Sequence, residues 1–159
     1  APQQALKLIG KERELFFKGL NCEREGMGIG AFSYFRRVID AQKNKIFDEI
    51  IKVLENSSGN EILIKELKEA RNETQFTSSV DKIKAGIPEI LKVGGQNPLY
   101  LLYAALSEGL HVHNDDECLE LAYDIKLVLY EFAERLEIAL KSNQQLQASV
   151  SRLLERKKK

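Results

Sequence analysis

Residues 97–120 read NPLYLLYAALSEGLHVHNDDECLE, and this stretch contains the whole of one helix, the connection after it and the start of another. Asn97 followed by Pro98 is a helix start: the asparagine side chain accepts from the first free N–H groups, and proline lacks a donor where none is needed. At ~100° per residue, Leu99, Leu102, Tyr103, Leu106 and Leu110 share a face and Glu108 points the other way, so a helix is expected from Pro98 onward. Gly109 is placed where a left-handed residue closes a helix. Asn114 and Glu117 stand three apart as a capping pair, and Asp115 and Asp116 put negative charge at the positive end of the next helix dipole. The two histidines, His111 and His113, are therefore expected in a tight connection between helices.

The helix that begins at Asp115 meets no Gly or Pro for 40 residues and is expected to run to about Glu155. Cys118, Leu121, Ile125, Val128 and Phe132 step by three and four. After Leu136, the positions Ala139, Asn143, Leu146, Val150 and Leu153 resume the heptad. Beyond Ala139 the surroundings become KSNQQLQASV, too polar for a core yet still carrying an apolar seam. A tail that pairs with a second copy is the economical expectation, against a frayed tail or a tail that meets another domain, and Asn143 in the seam would select one register and oligomeric state.

Toward the N-terminus, 73–95 reads as one or two short helices joined by loops, and Glu61–Asn72 repeats Ile62, Leu63, Leu67 and Ala70 as an amphipathic helix after the turn cluster NSSGN, residues 56–60. From Ile29 to Glu55 one long helix is expected, with Phe32, Phe35, Ile39, Ile46, Ile50 and Val53 on its apolar face. Taking Phe32 as zero, Arg36 falls near ~40° and Lys43 near ~20°, inside that face, while Arg37 lies outside it. A buried cation needs a partner, so Arg36 is either half of a structural pair, with Asp40, Glu108 or Asp115 in reach, or a cation lining a polar pocket. Gly26, Gly28 and Gly30 before it have no strand ahead and no Lys-Ser/Thr behind. They read as sites of close helix approach or as a bent helix entry rather than a nucleotide loop. Residues 9–20 read as a short amphipathic helix packing as an arm.

Composition bounds the function. The chain has 159 residues, 43% of them hydrophobic, with 24 basic and 24 acidic residues, so it holds one core and offers no global charge for nucleic acid or anionic membrane. The basic run RLLERKKK at Arg152–Lys159 reads as a solvated helix end. No apolar run reaches the ~20 residues of a membrane span, and no signal pattern opens the chain, so a soluble cytoplasmic protein is expected. Cys22 and Cys118 lack partners at zinc spacing, and neither metal nor other cofactor is expected. Asp115, Asp116 and Glu117 have adequate work as first-turn residues without ligating anything. The chain begins Ala1-Pro2 rather than Met, which points to processing, to an engineered end or to a fragment cut from something longer, and in the last case to a missing N-terminal domain.

MGIGAFSYFRRVID and NPLYLLYAALSEGLHVHNDDECLELA together resemble an uncharacterised bacterial helical-domain family whose hallmarks are a GIGAF-Y-RR helix and an ALSEGLH segment before an acidic helix start. The resemblance spans most of 21–136. At greater distance the chain resembles the DUF4145 and HEPN-type helical bundles of defence and toxin systems. That resemblance implies a metal-independent ribonuclease using an Arg followed a few residues later by His, completed across a dimer. Here the positions that spacing requires are Ala104, Ala105 or Leu106 for His111, and Leu106, Ser107 or Glu108 for His113, none of them basic. Cleavage would need Arg36 as the substitute cation and His111 as the proton-transfer group, with Arg37, Glu108, His113 and Asn114 as binding candidates.

These readings converge on an all-α antiparallel bundle of about four main helices plus short ancillary ones, divided into an arm (1–21), a bundle (22–140) and a C-terminal extension (141–159). The expected role is a non-enzymatic helical interaction or oligomerisation module forming the C-terminal part of a larger bacterial protein, a homo-oligomer and first of all a dimer through the last helix. The alternative is the HEPN-like ribonuclease, with RNA as its partner.

Overall fold

The computed structural model describes residues 1–56, 60–83 and 86–158. It is all-α: α1 (Gln3–Ile9), α2 (Arg13–Arg24), α3 (Gly28–Ala41), α4 (Lys43–Asn56), α5 (Glu61–Arg71), α6 (Phe76–Asp81), α7 (Pro98–Gly109) and α8 (Asp115–Lys158), with 3-10 turns at Gly10–Glu12 and Glu89–Leu91. No helix among the described residues is long and apolar enough to cross a membrane.

Capping chemistry sets several boundaries. Asn97 Oδ1 accepts from the Leu99 N–H at 2.9 Å, and Asn114 Oδ1 accepts from the Glu117 N–H at 2.8 Å. Asn60 Oδ1 accepts from both Ile62 and Leu63 to open α5. The rest of the expected NSSGN turn, Ser57–Gly59, lies outside the described residues, as do Lys84, Ala85 and Lys159. With no Gly or Pro to interrupt it, α8 continues for 44 residues, about 66 Å at ~1.5 Å per residue, and is the spine against which α1, α2, α3, α4 and α7 pack. It buries Cys118, Ala122, Ile125, Leu129, Phe132, Ala133, Leu136 and Ala139. Leu121 and Val128, expected in the core stripe, are half-buried at its edge.

Three expectations need correction. The segment 1–21 is no arm, because Ala5, Leu8, Ile9 and Phe16 are core residues and the Phe16 ring stacks on Phe35 at 5.3 Å with Tyr130 edge-on at 6.2 Å. Within it the expected 9–20 helix is interrupted: Gly10 adopts φ 56° and ends α1, and α2 begins only at Arg13.

The long helix expected over 29–55 is two helices, α3 and α4, divided at Gln42 (φ −96°, ψ 8°). The Gln42 side chain is buried and donates to the Leu8 carbonyl at 3.0 Å, which ties the break to the end of α1. The divided helix can then follow two surfaces, α3 against α2 and α8, and α4 against α5 and α8. Finally, Ile62 is exposed; α5 buries Leu63, Leu67 and Ala70 in the core, with Ile64 half-buried against it.

Candidate functional site

The sequence directs attention first to the junction of α3, α7 and α8, where three helix ends converge. Gly28 faces the first turn of α8 so closely that an added Cβ would stand 1.9 Å from the Asp115 carbonyl oxygen and 2.4 Å from the Leu119 nitrogen. Close approach is thus what that glycine supplies. It brings Asp115 over the start of α3, and Asp115 Oδ1 accepts from the Ile29 N–H at 3.0 Å. One carboxylate therefore serves two helix N-termini, its own and that of α3, where negative charge is favoured.

Gly109 does a similar job at the end of α7. It is helical and buried, with the Phe32 ring where its side chain would be: an added Cβ would lie 2.1 Å from Phe32 Cζ. The expected left-handed closure at Gly109 is therefore incorrect; α7 ends on Leu110 in right-handed geometry. Leu110 is also exposed, because the chain has left the core face by the time it reaches that residue.

Arg36 reaches across from α3 and donates from Nη1 to the Leu106 carbonyl at 3.0 Å, while Nε stands 3.8 Å from Asp40 Oδ2. A guanidinium at the negative end of α7 satisfies a carbonyl that the helix itself leaves without an amide. Asp40 in turn accepts from the Phe76 N–H at 3.0 Å and opens α6. Of the partners considered for Arg36, Asp40 takes the role, and Asp115 is committed to Ile29. The other cation in the apolar sector, Lys43, is buried and donates to Asn44 Oδ1 at 2.9 Å and to the Arg71 carbonyl. Desolvation, reinforced by the Arg71 guanidinium, lowers its pKa from the usual lysine range.

His111, His113, Arg37, Glu108 and Asn114 are all exposed. The junction brings Arg36 to the end of α7, where Gly109 and the turn carrying His111 follow; Arg37 faces solvent on α3. Asn114 is occupied as the α8 cap. Cys118 is buried, donates to the Val112 carbonyl at 3.6 Å and has its thiol pKa pushed up by burial first and by Asp115 and Glu117 after that. Among the described residues no group of His, Cys, Asp and Glu has metal-ligating geometry. Chemically the junction is a set of helix-end hydrogen bonds.

The far end of α8 is different. Asn143 Nδ2 donates to the Val53 carbonyl at 3.1 Å and Gln147 Nε2 to the Asn56 carbonyl at 3.0 Å, so α8 is fastened to the last turn of α4. Asn143 is thus occupied within its own chain, a correction to its expected part in selecting an oligomer, and the bundle holds α8 seven residues beyond the boundary expected at 140/141. From Leu146 onward the apolar side chains of the helix are without cover: Leu146 is 65% exposed, Val150 46%, Leu153 67% and Leu154 57%. Measured from Phe132 at ~100° per residue, Leu146, Val150 and Leu154 lie within about 40° of the direction in which Phe132 enters the core. The core face of α8 carries on as an apolar stripe after the bundle has ended. Leu154 was not in the expected seam; it sits one residue past Leu153, and only the true core direction of α8 brings it in.

A groove of about 310 Å³ lies between α1, α4 and α8 and is lined by Leu8, Leu136 and Leu140 among others. Its lysines are internally tied: Lys45 donates to the Lys7 carbonyl, and Lys7 and Lys141 both pair with Glu137, whose carboxyl the Lys141 hydrogen bond holds below the usual range. No protein-family model, curated protein or solved structure matches the chain.

Proposed function

We propose that the protein is a non-enzymatic self-association module, in which the bundle presents the end of α8 to a second copy. The observation that carries this reading is the apolar stripe of Leu146, Val150, Leu153 and Leu154, which prolongs the core face of α8 where no other helix among the described residues covers it. Large apolar side chains scattered singly on a surface need no explanation, but four in helical register on one short rod are a different matter. A bare helix of about a dozen residues is also marginal by itself in water, and burial against a partner is the usual source of its stability. The engagement of Arg36 with Leu106 and Asp40 supports the same reading, since a catalytic cation would need donors available to a substrate.

Sedimentation of the full chain and of a chain ending at Gln147, which keeps both bonds to α4, tests the proposal. A dimer that becomes a monomer on removal of 148–159 is the expected result. Equal monomeric masses at tens of micromolar, or a dimer that survives the truncation, would refute it.

A further inference from the structure

The orientation of such a pair follows from two features of α8, given the self-association proposed above. The first is steric. The exposed stripe and the bundle lie on the same side of the helix, because Leu146, Val150 and Leu154 point along the direction of Phe132, which α8 buries. If two tails met side by side in parallel, each bundle would project toward the other at the same level, into the space its twin occupies. Running in opposite directions, the bundles sit at opposite ends, and each tail fills the gap beside its partner's tail. The free length from Gln147 to Lys158 is about 16 Å at ~1.5 Å per residue, which limits the overlap to the bare stripe.

The second feature is charge. Residues 115–140 of α8 contain eight acidic and two basic residues, whereas 141–158 contain five basic and one acidic. Parallel tails would hold Arg156, Lys157 and Lys158 beside their own copies, well inside a Debye length of ~8 Å. Opposed tails move that basic end toward the partner's acidic half and toward the α4–α5 end of its bundle, where Glu61 is exposed, where Glu55 is exposed and pairs with Lys68 at 3.6 Å, and where the negative dipole end of α4 lies.

We infer that two copies of this chain pair antiparallel through residues 146–158 of α8, each basic C-terminal end directed at the acidic α4–α5 end of the partner's bundle.

Spin labels at Ser142→Cys and, separately, Ser151→Cys, both exposed positions, test the orientation in a Cys22→Ser, Cys118→Ala background whose helix content matches the native chain. In the opposed arrangement the pair axis falls near 151. The Ser151→Cys labels then give a short inter-chain distance, and the Ser142→Cys labels are separated along the rod by a further ~25–30 Å, from ~1.5 Å per residue. Short and equal distances at both positions would overturn the orientation while leaving self-association standing. Absence of any dipolar signal with a monomeric mass would overturn both, and so would a monomer that gains mass only when an RNA oligonucleotide is added. A combined Arg156→Gln, Lys157→Gln, Lys158→Gln variant gives an independent arm: several-fold weaker dimerisation is expected, and tighter dimerisation would overturn the orientation.

Discussion

Replacing Arg36 with alanine separates a structural guanidinium from a catalytic one. The side chain is about four-fifths buried and makes a charge-assisted hydrogen bond to the Leu106 carbonyl and a 3.8 Å pair with Asp40. The hydrogen bond to the end of α7 is worth ~1.5–3 kcal/mol by its type. The pair with Asp40, within one helix and looser, adds ~0.3–0.5 kcal/mol. Arg36→Ala should therefore cost about 2–3 kcal/mol, equivalent to roughly 4–12 °C in Tm for a domain of this size. Arg37→Ala, one residue on and facing solvent, should stay within ~0.5 kcal/mol of the native chain and serves as the control. Urea unfolding followed by helix circular dichroism reads the difference as a shift in midpoint at constant slope. If Arg36→Ala and Arg37→Ala unfold at the same urea concentration, the assignment of Arg36 to the α7 terminus is mistaken.

The remaining predictions concern the same contacts. Gly28→Ala should destabilise by ~3 kcal/mol or more, because the added carbon meets the backbone of Asp115 and Leu119, which cannot yield as a side chain can; a change below 1 kcal/mol in thermal unfolding would contradict the close approach. Asn114→Ala should cost ~0.5–2 kcal/mol and Asn114→Asp much less, as measured by the same denaturation, since only the first removes the acceptor for Glu117. Lys43 has its folded pKa lowered, so below that value the folded state carries a desolvation cost that the unfolded state does not. The native chain should gain stability relative to Lys43→Met as pH climbs through the folded pKa toward 10.5, and a pH-independent difference between the two would sink the assignment. The difference is the proper quantity, because the raised pKa values of Tyr100 and Tyr130 remove stability above pH 10.0 in both chains alike. Purified protein incubated with structured and unstructured RNA should leave both intact; cleavage abolished by His111→Ala would overturn the non-enzymatic reading.

Helix starts were legible in the sequence where a side chain does the capping. Asn97-Pro98 and Asn114 each announce a boundary that the structure reproduces, because the acceptor and the helix it opens are only two or three residues apart, whereas Asn60 read only as the end of a turn cluster and proves to be a cap as well. The long α8 was legible for the opposite reason, that nothing in it stops a helix. What could not be read were breaks whose cause lies in another part of the chain. Gln42 divides α3 from α4 with neither Gly nor Pro nearby, and its amide is spoken for by Leu8, 34 residues away. Gly109 invited a local explanation, a helix stop, when its reason was the Phe32 ring. At the junction, the wheel flagged Arg36 and Lys43 as cations needing partners, and they have them. Asp40 beside Arg36 and Asn44 beside Lys43 are neighbours in sequence, but the other partners are the helix-end carbonyls of Leu106 and Arg71, and a carbonyl has no signature in sequence. Asn143 shows the same limit from the other side: its heptad position suggested another chain, and the Val53 carbonyl of its own chain claimed it.

Amide hydrogen exchange over residues 146–158, measured at two protein concentrations a hundredfold apart, tests self-association through α8 most directly. If the stripe is covered by a second copy, protection there rises with concentration while the amides of α3 and α7 exchange at unchanged rates. Tail amides that exchange equally fast at both concentrations would contradict the account.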